Sequence, residues 1–218
     1  LHDALPIYSL MKLNPAPMLG GDMYKVLYGS TFKFDKEAVI QEVKALTQKI
    51  KDTYDDGTPD CPKQKFAGRP RIMVTGSPIG GASEKVIKCL EDNGAQVVVF
   101  ENCSGAKSVD EMVDEQNPDI YDALARRYLN IGCSCMTPDH NRFKLMDRLI
   151  DEYQVDAVVE VVLQACHTYN VESFLIKRFV TEEKKKPYIA LETDYSTSDA
   201  GQISTRLAAF LEIGRAHV

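Results

Sequence analysis

Apolar positions change their period along the chain. Between residues 9 and 35 they are broken by Pro15, Pro17, Gly20, Gly21 and Gly29, which marks a connecting segment with one short helix near Asp22–Leu27. Asp35 suits a helix N-cap. After it Val39, Ile40, Val43, Leu46 and Ile50 recur at helical spacing to about Asp52. The run Asp55-Asp56-Gly57-Thr58-Pro59-Asp60-Cys61-Pro62 is loop, and Cys61 within it is expected to be a free surface thiol. From Arg71 strands and helices alternate. Arg71–Thr75 is a short β-branched run ending at Gly76, followed by a helix over Ser83–Asn93 with Gly94 as its stop. Val97–Phe100 is a second strand. Ser108 and Glu111 form a capping-box pair for a helix to about Asp114, and a further helix spans about Ile120–Tyr128. Thr137 and Pro138 read as N-cap and first residue of a helix to Tyr153, with Phe143, Met146, Leu149, Ile150 and Tyr153 on one face. Ala157–Leu163 is nearly all apolar and therefore a central strand covered on both faces. Val171–Glu183 is helix, Tyr188–Leu191 a fourth strand and Gly201–Leu211 a last helix, with Asp199 and Gln202 suited to its first turn. The charge run Glu182–Lys186 reads as a solvated helix end.

This alternation predicts an α/β fold: an open parallel Rossmann-like sheet with right-handed crossovers and helices on both faces. The domain covers 71–212, and 9–70 is a linker segment with one long helix. The two ends, 1–8 and 213–218, contain LHDALPI and IGRAHV, which resemble translated library adaptors and are set aside from the fold.

Composition narrows the function. With 44 % hydrophobic and 27 % charged residues, the 218-residue chain can bury a real core. It carries 26 basic against 32 acidic residues, a net charge of −6, which argues against nucleic-acid and anionic-membrane partners. No apolar run of about 18 residues exists to span a membrane. Six Cys with no secretory leader before them suggest a cytoplasmic setting, with reduced thiols or metal ligands rather than disulfides.

In an open parallel sheet, ligands bind beyond the carboxyl ends of the strands. That rule selects four loops: Gly76–Gly81, Glu101–Gly105, Gln164–His167 and Glu192–Tyr195. The helix ending at Tyr153 must start at the same edge, bringing Cys133 and Cys135 beside Cys103 and Cys166. Clustered thiolates favour soft metals, and zinc and iron–sulfur clusters both fit. Gly76–Ser83 resembles a phosphate loop, but Ala82 stands where a Walker Lys would be and Pro78 where a dinucleotide loop has its second Gly. Glycines serving a tight strand-to-helix turn explain it equally well. Cys133-Ser134-Cys135 is too closely spaced for an ordinary zinc knuckle, and small-residue packing is its plain alternative. Cys166 is open to the same reading as a packed thiol, with His167 simply satisfied. Cys89, mid-helix, is core filler. Glu160 inside an apolar strand is either paired in a buried network or an edge feature.

At these residues the sequence resembles the iron–sulfur component of the 2-hydroxyacyl-CoA dehydratase and benzoyl-CoA reductase family, and most closely its double-cubane-cluster branch. The matching strings are GSPIGG (76–81), ENCSGAKS (101–108), ALARRYLNIGCSCMTPDHNR (123–142), VLQACHTYNVES (162–173) and ETDYSTSDAGQISTRLAAFLE (192–212). The resemblance implies two Rossmann-like domains with an iron–sulfur cluster, [4Fe–4S] or double-cubane, between them. This chain matches the second domain and the segment leading into it. It implies Cys166 as this domain's ligand, with Cys103, Cys133 and Cys135 as further candidates and the remaining ligands on the first domain. His167 and Glu101 are implied to handle protons or orient the ligands. Ser77, Gly80, Gly81, Glu192, Asp194, Ser198 and Arg206 would form the substrate edge. An ATP-hydrolysing iron–sulfur activator would inject one electron at low potential. In the dehydratases, a ketyl radical then lets a 2-hydroxyacyl thioester lose water; in the reductases, an unactivated bond is reduced. The implied partners are that activator, a related subunit in a homo- or heterodimer, and a small-molecule substrate of the acyl-CoA class. The fragment alone is expected to be inactive. The rival readings are a zinc-stabilised module and an anion- or nucleotide-binding α/β domain without redox chemistry.

Overall fold

The computed structural model describes residues 5–77, 80–136 and 138–215. Four strands build the sheet: β1 (Arg71–Gly76), β2 (Gln96–Phe100), β3 (Ala157–Leu163) and β4 (Tyr188–Thr193). Their order is β2-β1-β3-β4 and every neighbouring pair is parallel. All four carboxyl ends therefore share one edge. The two inner strands are covered on both faces: β1 is buried along its whole length, and β3 from Ala157 through Val162. Burial on both faces is what such an uninterrupted run requires.

Helices flank the sheet. Along the chain these are α1 (Leu5–Leu10), α2 (Gly20–Thr31), α3 (Lys36–Thr53), α4 (Pro62–Lys65), α5 (Gly80–Asp92), α6 (Ala106–Val109), α7 (Ile120–Leu129), α8 (His140–Glu152), α9 (His167–Arg178) and α10 (Ala200–Arg215). The Asp35 carboxylate caps α3 by accepting from the Ala38 N–H at 2.9 Å, as its sequence position predicts. Val43 and Ile50 are buried on that helix, with Val39, Ile40 and Leu46 half-buried beside them. Ile7 on α1 is fully buried in the same cluster. Gly94 ends α5 with φ +83°, the left-handed conformation that glycine adopts without a Cβ clash.

Several expectations need correction. Cys61 is not a surface thiol; it is only 2 % exposed, at the N-cap position of α4. The Ser108–Glu111 capping box does not form. Gly105 packs so tightly on Phe100 that α6 begins at Ala106, and Ser108 lies inside it, donating to the Gly105 carbonyl at 2.9 Å. α9 starts at His167, four residues before the expected Val171, and passes into a π-helical turn over Phe179–Glu183. Within the 182–186 charge run Glu182, Glu183 and Lys185 are exposed as expected, and Lys184 is tied to the body, bridging Asp147 and Asp151 of α8, each at 2.8 Å. Asp139 occupies the N-cap position of α8, and the expected cap Thr137 lies outside the described residues.

Candidate functional site

The carboxyl edge is built from the strand ends upward. β1 ends at Gly76, whose φ is +101°; a Cβ there would sit 2.2 Å from the Val161 carbonyl oxygen. Only glycine fits so close to β3. Next, Ser77 is buried and its hydroxyl accepts the Leu163 N–H at 3.2 Å, tying the β1 and β3 exits together. Pro78 and Ile79 of the glycine loop lie outside the described residues. Gly80 and Gly81 open α5, and Gly81 is exposed.

β3 delivers Cys166 through a turn in which Ala165 has φ +66°. Cys166 is the N-cap of α9 and half-buried. Burial works against its thiolate, but hydrogen bonding from the Tyr169 N–H, the Thr168 and Ser77 hydroxyls and the Thr168 N–H outweighs it, and its pKa is lowered. His167 is exposed in the first turn of the same helix. Cys103 is exposed as a residue, yet its thiol lies under enough protein for burial to raise its pKa, against the pull of Lys107. Cys133 is among the groups acting on Cys103, so these two share a neighbourhood. The Cys133 and Cys135 sulfurs are 3.3 Å apart, and the Cys135 thiol is raised by that contact. Among the described residues, no three His, Cys, Asp or Glu side chains are grouped to hold a metal ion.

Beneath the edge lies a buried charge network that sequence reasoning saw only in part. Arg142, fully buried, points its Nε to Glu101 Oε2 at 3.4 Å and its Nη2 to Glu160 Oε1 at 3.3 Å. The same guanidinium contacts Glu172 and donates to Thr75 Oγ1 at 2.9 Å. Thr75 in turn donates to Glu101, and Tyr188 donates to Glu160. Lys107 Nζ sits 2.9 Å from Glu101 Oε1. Tyr169 offers its ring to both cations, 5.1 Å from Arg142 and 5.7 Å from Lys107. Burial pushes Glu101 up, but Arg142, Lys107 and Thr75 more than offset it and the group is held ionised. Lys107, despite burial, is pushed up to about 12 by Glu101 and Tyr169. Asp139, buried and beside Glu172, is pushed up to about 6.

The network answers the question Glu160 raised: it is paired, not an edge feature. Glu101 is wholly enclosed between two cations and a hydroxyl. Arg142 and Lys107 were missed because each stands in a polar stretch. A signal existed for Arg142: it falls on the Met146, Leu149 and Tyr153 face of α8, where a lone cation must find a buried anion.

The fourth loop is held by Lys85, whose Nζ donates to the Asp194 and Ser196 carbonyls and bridges Asp199 at 2.5 Å. Glu192 and Ser198 are exposed and Asp194 half-buried on that side. Arg206 donates to the Ala190 carbonyl at 3.3 Å, mid-strand on β4 and back from the edge.

The model of the 2-hydroxyglutaryl-CoA dehydratase D-component family matches residues 4–213. The chain belongs to that family. It is similar to "Putative dehydratase subunit YjiM" of Escherichia coli (strain K12), 53 % identical over 206 residues that cover 94 % of this chain and 52 % of the relative. It is more distantly similar to a benzoyl-CoA reductase subunit of Thauera aromatica, 24 % identical over 151 residues, 68 % of this chain and 34 % of that protein. The chain thus spans about half the length of the first relative and about a third of the second. No described helix is long and apolar enough to cross a membrane.

Proposed function

We propose that the chain is part of the iron–sulfur component of a two-component, ATP-activated dehydratase or reductase acting on an acyl-CoA substrate, of the double-cubane-cluster type. The observation that carries this is the place of Cys166: it is the N-cap of α9, on the loop leaving the inner strand β3 at the carboxyl edge, with the Thr168 hydroxyl 3.6 Å from its sulfur. A rigid strand fixes the sulfur, and the thiolate is the form in which it would bind metal. The donor set fits an iron–sulfur cluster only in part. Cys103 and the Cys133–Cys135 pair are further thiolate candidates on the same side, and a complete set needs ligands beyond the described residues. When bound, such a cluster supplies one-electron chemistry at low potential.

This chain's own residues set the surroundings. Glu101, held ionised under Arg142 and Lys107, fixes a buried charge below the thiols. His167, exposed beside Cys166, is placed to exchange a proton with a substrate at the edge. Gly80, Gly81, Glu192, Asp194 and Ser198 would line the approach, Ser77 supports it from below by tying β1 to β3, and Arg206 stands behind β4. A second, related subunit and an ATP-hydrolysing activator complete the assembly, in the cytoplasm.

The test is iron and sulfide content of the longer natural protein, purified without oxygen. Cys166→Ala is expected to lose iron and brown absorbance while the domain stays folded, since one small half-buried thiol is worth at most about 1–3 kcal/mol. Cys89→Ala, a core thiol 3.7 Å from the Ala200 carbonyl, is expected to keep its iron. Full iron in Cys166→Ala would move the ligand to Cys103 or the Cys133–Cys135 pair.

A further inference from the structure

A small cavity of about 160 Å³ opens between α6, α7 and α8. It is far below the several hundred Å³ of a drug-sized site, and suits one phosphoryl-sized group. Gly132, in its wall, immediately precedes Cys133, so the cavity adjoins the carboxyl edge.

Its lining includes Lys107, Arg127, Lys144 and Arg148 with Asp110 and Glu111, in a chain whose net charge is −6. The pairings decide what remains available. Arg148 is spent on Asp110 and Glu152. Lys107 is committed to Glu101 at 2.9 Å within the buried charge network. Arg127 has no carboxylate partner among the described residues. It donates from Nε and Nη2 to the Glu111 and Ser108 carbonyls, which fixes the guanidinium and leaves Nη1 uncommitted. Lys144 is exposed and has no ion-pair partner among the described residues. Against these stands the Glu111 carboxylate, which accepts from Asn130 Nδ2 at 3.0 Å. The cavity is therefore cation-rich, with a guanidinium fixed by two carbonyls and an exposed ammonium, the pairing that binds tetrahedral oxyanions.

We propose that this cavity is an anion subsite that takes a phosphoryl group of the CoA thioester. The inference rests on the acyl-CoA reading for the carrier of the phosphate; the anion preference itself rests on the pocket. It assigns Arg127 and Lys144 as binding residues beside the edge that carries Cys133.

Calorimetric titration of this chain with inorganic phosphate, CoA and dephospho-CoA tests it. The expected result is saturable phosphate binding that CoA displaces, weakened by added salt. Lys144→Glu changes an exposed side chain with no ion pair among the described residues and leaves the fold intact by circular dichroism; it should weaken both ligands at least about tenfold. Arg127→Gln should act in the same direction. Weaker binding of dephospho-CoA than of CoA would assign the subsite to the 3′-phosphate; equal binding would assign it to the pyrophosphate. Phosphate binding that is absent, or unchanged in both variants, would overturn the subsite. Phosphate binding lost in the variants but not displaced by CoA would overturn the acyl-CoA carrier and leave Cys166 to be judged by its iron.

Discussion

Arg142 holds Glu101, Glu160 and Glu172 on a single guanidinium, fully out of solvent. Removing a buried partner costs more than the pair itself is worth, because the remaining charges stay in a poor dielectric. Arg142→Met keeps the apolar stem but strands the carboxylates, and is expected to lower the unfolding free energy by about 3–5 kcal/mol in urea titrations. A loss near zero would mean that water reaches the network. Asp139 makes a pH statement. Its carboxyl, pushed up to about 6 by burial and Glu172, holds its proton more tightly folded than unfolded. The sign follows: stability tied to this group is full below the unfolded value of about 4 and is lost as pH rises through 6. Asp139→Asn should flatten melting temperature against pH between those limits and raise it at pH 7. Glu91, also pushed up to about 6 by burial, keeps a residual slope of the same sign. A variant with the parent's slope and midpoint would contradict the assignment.

The strand exits are where elements meet the chemistry, and Gly76 is the tightest. Gly76→Ala adds a Cβ that meets the Val161 carbonyl and forces an L-residue into φ +101°. A loss of about 2 kcal/mol or more is expected, with the β1 exit displaced; thermal melts and the near-ultraviolet spectrum would register both. Elements of this kind were readable from sequence where period and caps agreed. Asp35 and α3, the apolar run of β3, and Gly94 after α5 each carry their own local reason. What was not readable depended on contacts far along the chain. Cys61 sits between prolines in a polar loop, yet is buried, which no local pattern signals. Ser108 and Glu111 have capping spacing, but Gly105 against Phe100 starts the helix earlier. At the site, placing Cys103 and Cys166 after parallel strands needed only topology. Arg142 needed the third dimension, because Glu101, Glu160 and Glu172 come from three other segments; Lys107 finds Glu101 only six residues back, but the fold of that connection is what buries the pair.

At the scale of the whole molecule, the chain covers about half the length of its 53 % identical relative. Purified alone and without oxygen, with ATP and an activating component supplied, it is expected to show no dehydratase or reductase turnover. Turnover would mean that the described residues complete the site. One further feature bears on how this sheet behaves in company. β2 is an edge strand, and such edges expose N–H and C=O groups that template strand addition. Here the amino-terminal segment takes up those of Phe100. The Tyr8 hydroxyl donates to the Phe100 carbonyl at 2.7 Å and accepts its N–H at 3.0 Å, and Gln96 Nε2 reaches the Ala16 and Met18 carbonyls. One phenol thus stands in for a neighbouring strand. A chain trimmed to begin at residue 9 would shed that cover, leaving Phe100 free to recruit a second molecule, and solubility would then hang on a single side chain at the exit of β2.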